Sequence, residues 1–216
     1  MSSIDHQPTG PVLRAVVLLD RQPSGVGSVI DVLLPDAAAA IGNLPLTVMT
    51  VDVNEVPVTF EIGSGPLAAR EFDYAVSQSP LRDRVQAAAA RHGGYLMLTA
   101  EVGDDVFHAA NLLSTITAAY AADDNGIVVW LPDADLATTD VMYVGDVDRR
   151  PAHVWFNTMA ARVDAATSIA HTIGLPALGG LDVQLRTSSL DPAGAFKELR
   201  SAVAGLLEAR TLPHPA

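Results

Sequence analysis

The 216-residue chain contains no cysteine, which removes disulfides, thiolate nucleophiles and cysteine-ligated metals from consideration. Lysine occurs once, at Lys197, in a stretch that reads as a helix near the C-terminus. Schiff-base chemistry and a P-loop therefore have almost nothing to work with. Positive charge is scarce: 13 Lys and Arg stand against 25 Asp and Glu, for a net charge of −12. A phosphate backbone is gripped by clustered Lys and Arg, so no nucleic-acid partner is expected. A membrane-spanning run is also lacking. The most apolar stretch, Val106 to Ala122, has no charged residue but is interrupted by His108, Asn111, Ser114, Thr115 and Thr117. The first ten residues, MSSIDHQPTG, are polar and show no basic-then-apolar signal. No membrane partner and a cytoplasmic location are the expectations.

Hydrophobic residues make up 49% of the chain, enough to exclude disorder and to build a substantial core in one large domain or two small ones. The organising stretch is His92 to Pro132. Tyr95–Glu101 (YLMLTAE) is a short apolar run between a Gly93-Gly94 pair and Gly103-Asp104-Asp105, the pattern of a buried strand. Asp104 or Asp105 can cap the helix that follows, because a carboxylate there accepts from free backbone N–H groups. That helix is apolar around most of its circumference, so it is expected to be covered on more than one side. Asp123-Asp124-Asn125-Gly126 ends it, and Ile127–Leu131 (IVVWL) is the next buried strand. Such a β–α–β unit implies two parallel strands in one sheet.

Around this unit, residues 1–10 read as a flexible tail and 11–210 as one domain. Leu13–Leu19 is a first strand, and Gly25–Leu34 a helix stopped by Pro35. Leu46–Val53 and Val56–Ile62 flank Asn54-Glu55 as a hairpin, and Gly63–Ser77 is a loop or short irregular segment. Ser79-Pro80 resembles a cap with proline at the first helical position, opening a helix that runs towards His92. Pro132–Thr139 is an acidic turn or short helix. Val141–Arg150 shows no clear pattern. His153–Ala161 reads as a strand, Ala166–Ile173 as a strand or the return of a hairpin, and Asp182–Arg186 as a short strand. Asp191-Pro192 caps a final amphipathic helix, with Phe196, Leu199, Val203, Leu206 and Leu207 inward and Lys197, Glu198 and Arg200 outward. The expected class is α+β: a single domain with a mixed β-sheet and helices packed mainly on one face.

The segment Thr172-Ile173-Gly174-Leu175-Pro176-Ala177-Leu178-Gly179-Gly180-Leu181-Asp182-Val183 resembles the signature of the bacterial domain-of-unknown-function family 4261: Thr–aromatic–Gly–Leu, then Phe or Leu with Gly, then an acidic–apolar pair. His92 ahead of its strand, the Val-Val-Trp strand after the central helix, and Trp155 after a proline-led start agree with it in order. The resemblance covers about residues 80–208. It departs at Tyr95, where the family often has a second histidine, and at Gln184, where it tends to glutamate. Any site that those positions form in the family is lost or altered here. The family carries no settled activity, so the resemblance bears on fold and leaves function open.

Candidate chemistry is sparse. His92, His108, His153 and His171 have neither helical i, i+4 spacing nor an H-E-x-x-H, so no metal site or cofactor is expected. Asp133, Asp135, Asp140, Asp146 and Asp148 lack the central glycine of a calcium loop and read as solvated, with Asp146 and Asp148 ion-paired to Arg149 and Arg150. Gly25-Val26-Gly27 lacks the third glycine of a dinucleotide turn, and Gly63-Ser64-Gly65 lacks the spacing of a nucleophile elbow. What remains is a pocket formed by His92, Tyr95, Trp130, His153 and Trp155, set against the plainer reading of these aromatics as core. The resulting expectation is a noncatalytic protein that works by association, as a homodimer or with a protein partner. The alternative is a small-molecule binder or hydrolase-like enzyme using the His/Trp pocket.

Overall fold

In a computed structural model, residues 10–25 and 47–211 are described. They form nine strands, five α-helices and three short 3-10 turns. The tail expected over 1–10, except Gly10, and nearly all of the helix expected over Gly25–Leu34 lie outside the described residues, as does most of the Gly25-Val26-Gly27 motif.

The first strand, β1 (Val12–Leu19), occupies an interior position. The larger sheet runs β2 (Val48–Val53), β3 (Val56–Ser64), β4 (Gly94–Glu101), β1, β5 (Gly126–Leu131), β6 (Leu136–Thr139). Both neighbours of β1, namely β4 and β5, are antiparallel to it. They are therefore parallel to each other, as the β–α–β reading requires, but β1 lies between them. The chain is α+β as expected, while every hydrogen-bonded strand pair among the described residues is antiparallel, so the expected mixed sheet gives way to an antiparallel one. The side chains of β1 divide by parity. Leu13, Ala15, Val17 and Leu19 enter one core and Val16 and Leu18 another, so the sheet is covered on both faces.

The larger core holds α3 (Val106–Ala122), whose extent follows from its ends. Asp105 Oδ1 accepts the N–H groups of Phe107 and His108 at 3.0 Å each. Of its polar residues, His108, Asn111 and Thr115 are exposed, but two do not face solvent. Ser114 and Thr117 are buried and donate back to the carbonyls of Ala110 (2.8 Å) and Leu113 (2.7 Å). They also hold two large side chains: Trp155 Nε1 donates to Ser114 Oγ at 2.9 Å, and the buried Tyr143 hydroxyl hydrogen-bonds both Ser114 and Thr117. Burial pushes the Tyr143 phenol well above its ordinary pKa. Most of the apolar surface of α3 is thus buried within the chain, against β1, β4, β5 and the following helix.

On the opposite face, α1 (Arg70–Gln78) and α2 (Arg82–Ala89) pack Phe72, Ala75, Val76 and Val85 against Val16, Leu18, Val128 and Trp130. α1 replaces the loop expected over Gly63–Ser77; its i, i+3, i+4 stripe is Phe72, Ala75 and Val76. α2 begins at Arg82 rather than at Pro80, with the Leu81 N–H donating to Ser79 Oγ (3.2 Å). Tyr95 lies across Gly63, where a β-carbon would fall 1.9 Å from the ring; only glycine fits that strand position.

The C-terminal part adds α4 (Asp140–Arg149) and a second sheet, β7 (Asn157–Arg162), β8 (Ser168–Ile173), β9 (Gln184–Thr187), covered by α5 (Pro192–Thr211). The strand expected over His153–Ala161 starts only at Asn157. Pro151–Val154 forms a 3-10 turn whose Ala152 and Val154, with Phe156 beyond, reach the larger core. In α5, Leu199, Val203 and Leu207 are buried as expected, but Leu206 is 69% exposed, and Ala195 and Ala204 fill the stripe instead.

The Thr172–Val183 motif is a closed structural link between β8 and β9. Asp182 Oδ1 accepts from Thr172 Oγ1 (3.1 Å) and the Leu175 N–H (3.2 Å), while Thr172 Oγ1 accepts the Val183 N–H (2.8 Å). Gly174 sits at φ 110° against the backbone of Ala134, a conformation and an approach that a side chain would forbid. No helix among the described residues is long and apolar enough to cross a membrane.

Candidate functional site

The five residues singled out in the sequence are distributed over both faces of the larger sheet and do not share a pocket. Tyr95 and Trp130 belong to the smaller core, Trp130 at 6% exposure with its ring 5.6 Å from that of Phe72. His92 closes the turn after α2. Its Nε2 accepts the Leu67 N–H at 2.7 Å and its Nδ1–H donates to the Ala89 carbonyl, so both nitrogens serve the backbone. It borders a groove of about 390 Å³ with Leu67, Phe72, Val76 and Arg82. Trp155 stands on the other side of the sheet, bonded to Ser114 and 6.1 Å from the Phe107 ring. The space there is about 40 Å³, room for little more than a water. His153 lies beside the second sheet, half-buried. Burial and then the Arg200 guanidinium hold its pKa below the ordinary histidine value.

A more spacious concavity lies elsewhere. A cleft of about 650 Å³ opens between the two sheets. β6 is the last strand of the larger sheet and β7 the first of the smaller one; both line this cleft, and their outer edges are unpaired among the described residues. Asn157 Nδ2 donates to the Asp135 carbonyl (3.1 Å) and ties the two edges together at one end. Asp135 itself is placed by the turn, at φ 47°, and burial raises its carboxyl above the usual range. Leu81, from the α1–α2 junction, and Met142 of α4 contribute apolar walls; Phe196, Lys197 and Arg200 of α5 complete the lining.

The direction of the β7 backbone follows from its partner. The Thr172 N–H on β8 goes to the Val183 carbonyl, away from β7. Its register partner Thr158 therefore also turns its backbone groups away from β8, and so does Ala160 two residues on. The Thr158 N–H is met by the Asn157 Oδ1 at 2.8 Å. The Thr158 side chain is 4% exposed and lines the cleft, yet its Oγ1 has no partner among the described residues. Arg200 is similar. Its terminal nitrogen donates to Asp146 Oδ2 (3.2 Å) and the His153 carbonyl (3.3 Å), while its buried Nε–H is unpartnered. Asp146 thus pairs with Arg200 rather than with the adjacent Arg149 or Arg150.

These groups can hold a ligand by hydrogen bonds, apolar contact and charge. No hydroxyl hydrogen-bonded to a base is seen among them: the Thr158 and Ser168 hydroxyls and the His153 Nε2 have no hydrogen-bond partner among the described residues. No group of three metal-ligating side chains occurs among the described residues. The acidic stretch is engaged at Asp133, which takes the Arg14 side chain at 2.6 Å and its N–H at 2.9 Å. Reading the sequence misses Thr158, Lys197 and Arg200 as site residues because they were assigned to a strand and to the outer face of α5. Their signal was slight: the sole lysine and an arginine one helical turn apart. Compared with models of known families, with curated proteins and with solved structures, the chain matches none.

Proposed function

We propose that this is a noncatalytic binding protein that takes up an extended segment of a protein partner in the cleft between β6 and β7. One observation carries the reading: the cleft is lined on two sides by strand edges unpaired among the described residues, with the Thr158 carbonyl and Ala160 backbone turned away from β8 towards it. An edge of this kind recruits a further strand through main-chain hydrogen bonds, while neighbouring pockets read alternate side chains. Leu136, Met142, Met159 and Phe196 supply such pockets. Each flanking edge is short, four residues in β6 and six in β7, which fits a short linear segment better than a whole domain.

Displaying random heptapeptides against the full chain and following the selected peptide by amide hydrogen exchange tests this. Added protection is expected at Ala160 and along β6. Selected peptides that protect only the His92 groove or the outer face of α5 would sink the proposal. A second reading has its own support, because about 650 Å³ also suits a small organic ligand. Native mass spectrometry showing a stoichiometric small molecule on the purified chain would favour it over a peptide.

A further inference from the structure

The charge of the cleft specifies its occupant more narrowly than its shape does. On a chain of net charge −12, the lining holds two cations, Lys197 and Arg200, against the single acid Asp146, which Arg200 already engages. Lys197 and Arg200 are three residues apart on α5 and so project from one face of the helix. Thr158, almost wholly buried in the same lining, has a hydroxyl with no acceptor, and Arg200 keeps a buried Nε–H with none. Burying a donor without a partner destabilises the protein unless something else fills the role. These are three donors with spare capacity, in a cleft whose other lining groups are mainly apolar. The first turn of α5 adds nothing, because the Asp191 carboxylate already caps it through the Gly194 N–H at 2.7 Å.

We infer that the segment bound between β6 and β7 carries an aspartate or glutamate side chain, which lies against Lys197, the Arg200 Nε–H and the Thr158 hydroxyl. A neutral or basic segment leaves these donors unmet and gains nothing from the only excess positive charge in the cleft. An acidic partner is otherwise disfavoured by a chain of this net charge, so the cation pair confines its binding to this site and register. The inference rests on the strand-addition reading above and adds the partner's chemistry to it.

The test uses the full chain and two blocked peptides, acetyl-Thr-Val-Glu-Val-Thr-amide and its counterpart with Gln in place of Glu. Their affinities and the hydrogen exchange of cleft amides are measured in parallel. The Glu peptide is expected to bind about tenfold more tightly than the Gln peptide, as charge-assisted hydrogen bonds imply, and to lose that margin in Lys197→Ala. The exposed Lys197 makes no ion pair among the described residues, so its substitution leaves the fold intact. In Lys197→Glu the preference is expected to invert towards a Lys-bearing peptide. Equal binding of the Glu and Gln peptides, with protection at Ala160 retained, overturns the carboxylate inference and leaves strand addition standing. If neither peptide protects Ala160 or β6, both fall. A free C-terminal carboxylate that replaces the Glu side chain without loss would also overturn the assignment to an acidic side chain.

Discussion

Replacing Thr158 with valine separates stability from binding at the cleft. The two side chains have nearly the same shape, so the change exchanges one buried hydroxyl for a methyl group. Thr158 is 4% exposed and its Oγ1 is unpartnered, so wild type carries the desolvation cost of an unmet hydroxyl, about 1–3 kcal/mol. Valine removes that cost and buries one more apolar group, worth up to about 0.8 kcal/mol. Its β-branched form suits a strand as well as threonine does. The free protein is therefore expected to gain about 1–4 kcal/mol, which at this chain length corresponds to a rise in Tm of about 2–16 °C. Urea unfolding followed by circular dichroism should show a higher midpoint with an unchanged slope. Binding of the acidic peptide should weaken at the same time. A lower midpoint, by the equivalent of about 1 kcal/mol, would show that the hydroxyl is already hydrogen-bonded in the free protein, and the argument built on it would collapse. Ser168→Ala is the control. Its hydroxyl is also buried and unpartnered but does not line the cleft, so peptide binding should not change.

Three further outcomes follow from the fold. Asp105→Ala removes the acceptor of two N–H groups at the start of α3 and is expected to cost about 1 kcal/mol, read from the urea midpoint. Gly63→Ala drives a β-carbon into the Tyr95 ring and should destabilise by about 1–3 kcal/mol, with most of the loss recovered when Tyr95→Ala is added; a merely additive double variant would refute the contact. His153 titrates lower in the folded chain than its ordinary value of 6.5, so below that value the unfolded chain binds more protons. Its contribution makes stability fall as the pH drops through 6.5 towards the folded pKa, and unfolding of His153→Gln should depend less on pH over that window.

The parts legible in the sequence were those whose ends are chemically marked. α3 lies between Asp105 and Asp123 as read, because its cap is a local interaction and its body is too apolar to be anything but buried. The β2–β3 turn was equally plain from the apolar runs flanking Asn54 and Glu55, both of which adopt positive φ as a tight hairpin demands. His153–Phe156 misled for a physical reason. Ala152, Val154 and Phe156 are buried at every second position, which imitates a strand, although Pro151 opens a 3-10 turn there. α1 was obscured by Arg70, Glu71 and Asp73 ahead of and within its three-residue apolar stripe, and α4 by Gly145 and a single buried residue, Tyr143. The pocket imagined around His92, Tyr95, Trp130, His153 and Trp155 treated residues near in pattern as near in space, whereas the sheet stands between them. The cleft could not be read from any window, since Leu81, Leu136, Thr158 and Lys197 come from four separate segments.

The position of β1 has a consequence for how the molecule comes into being. Val16 pairs with Met97 on one side and Trp130 on the other, so β1 is synthesised before both of its sheet neighbours and has no native strand to pair with until β4 has been made. Through that interval its run of valine and leucine is an unpaired, sticky template, the kind of segment that chaperones hold and that pairs with the wrong chain when they do not. Contacts this distant along the chain also slow the search for the native state.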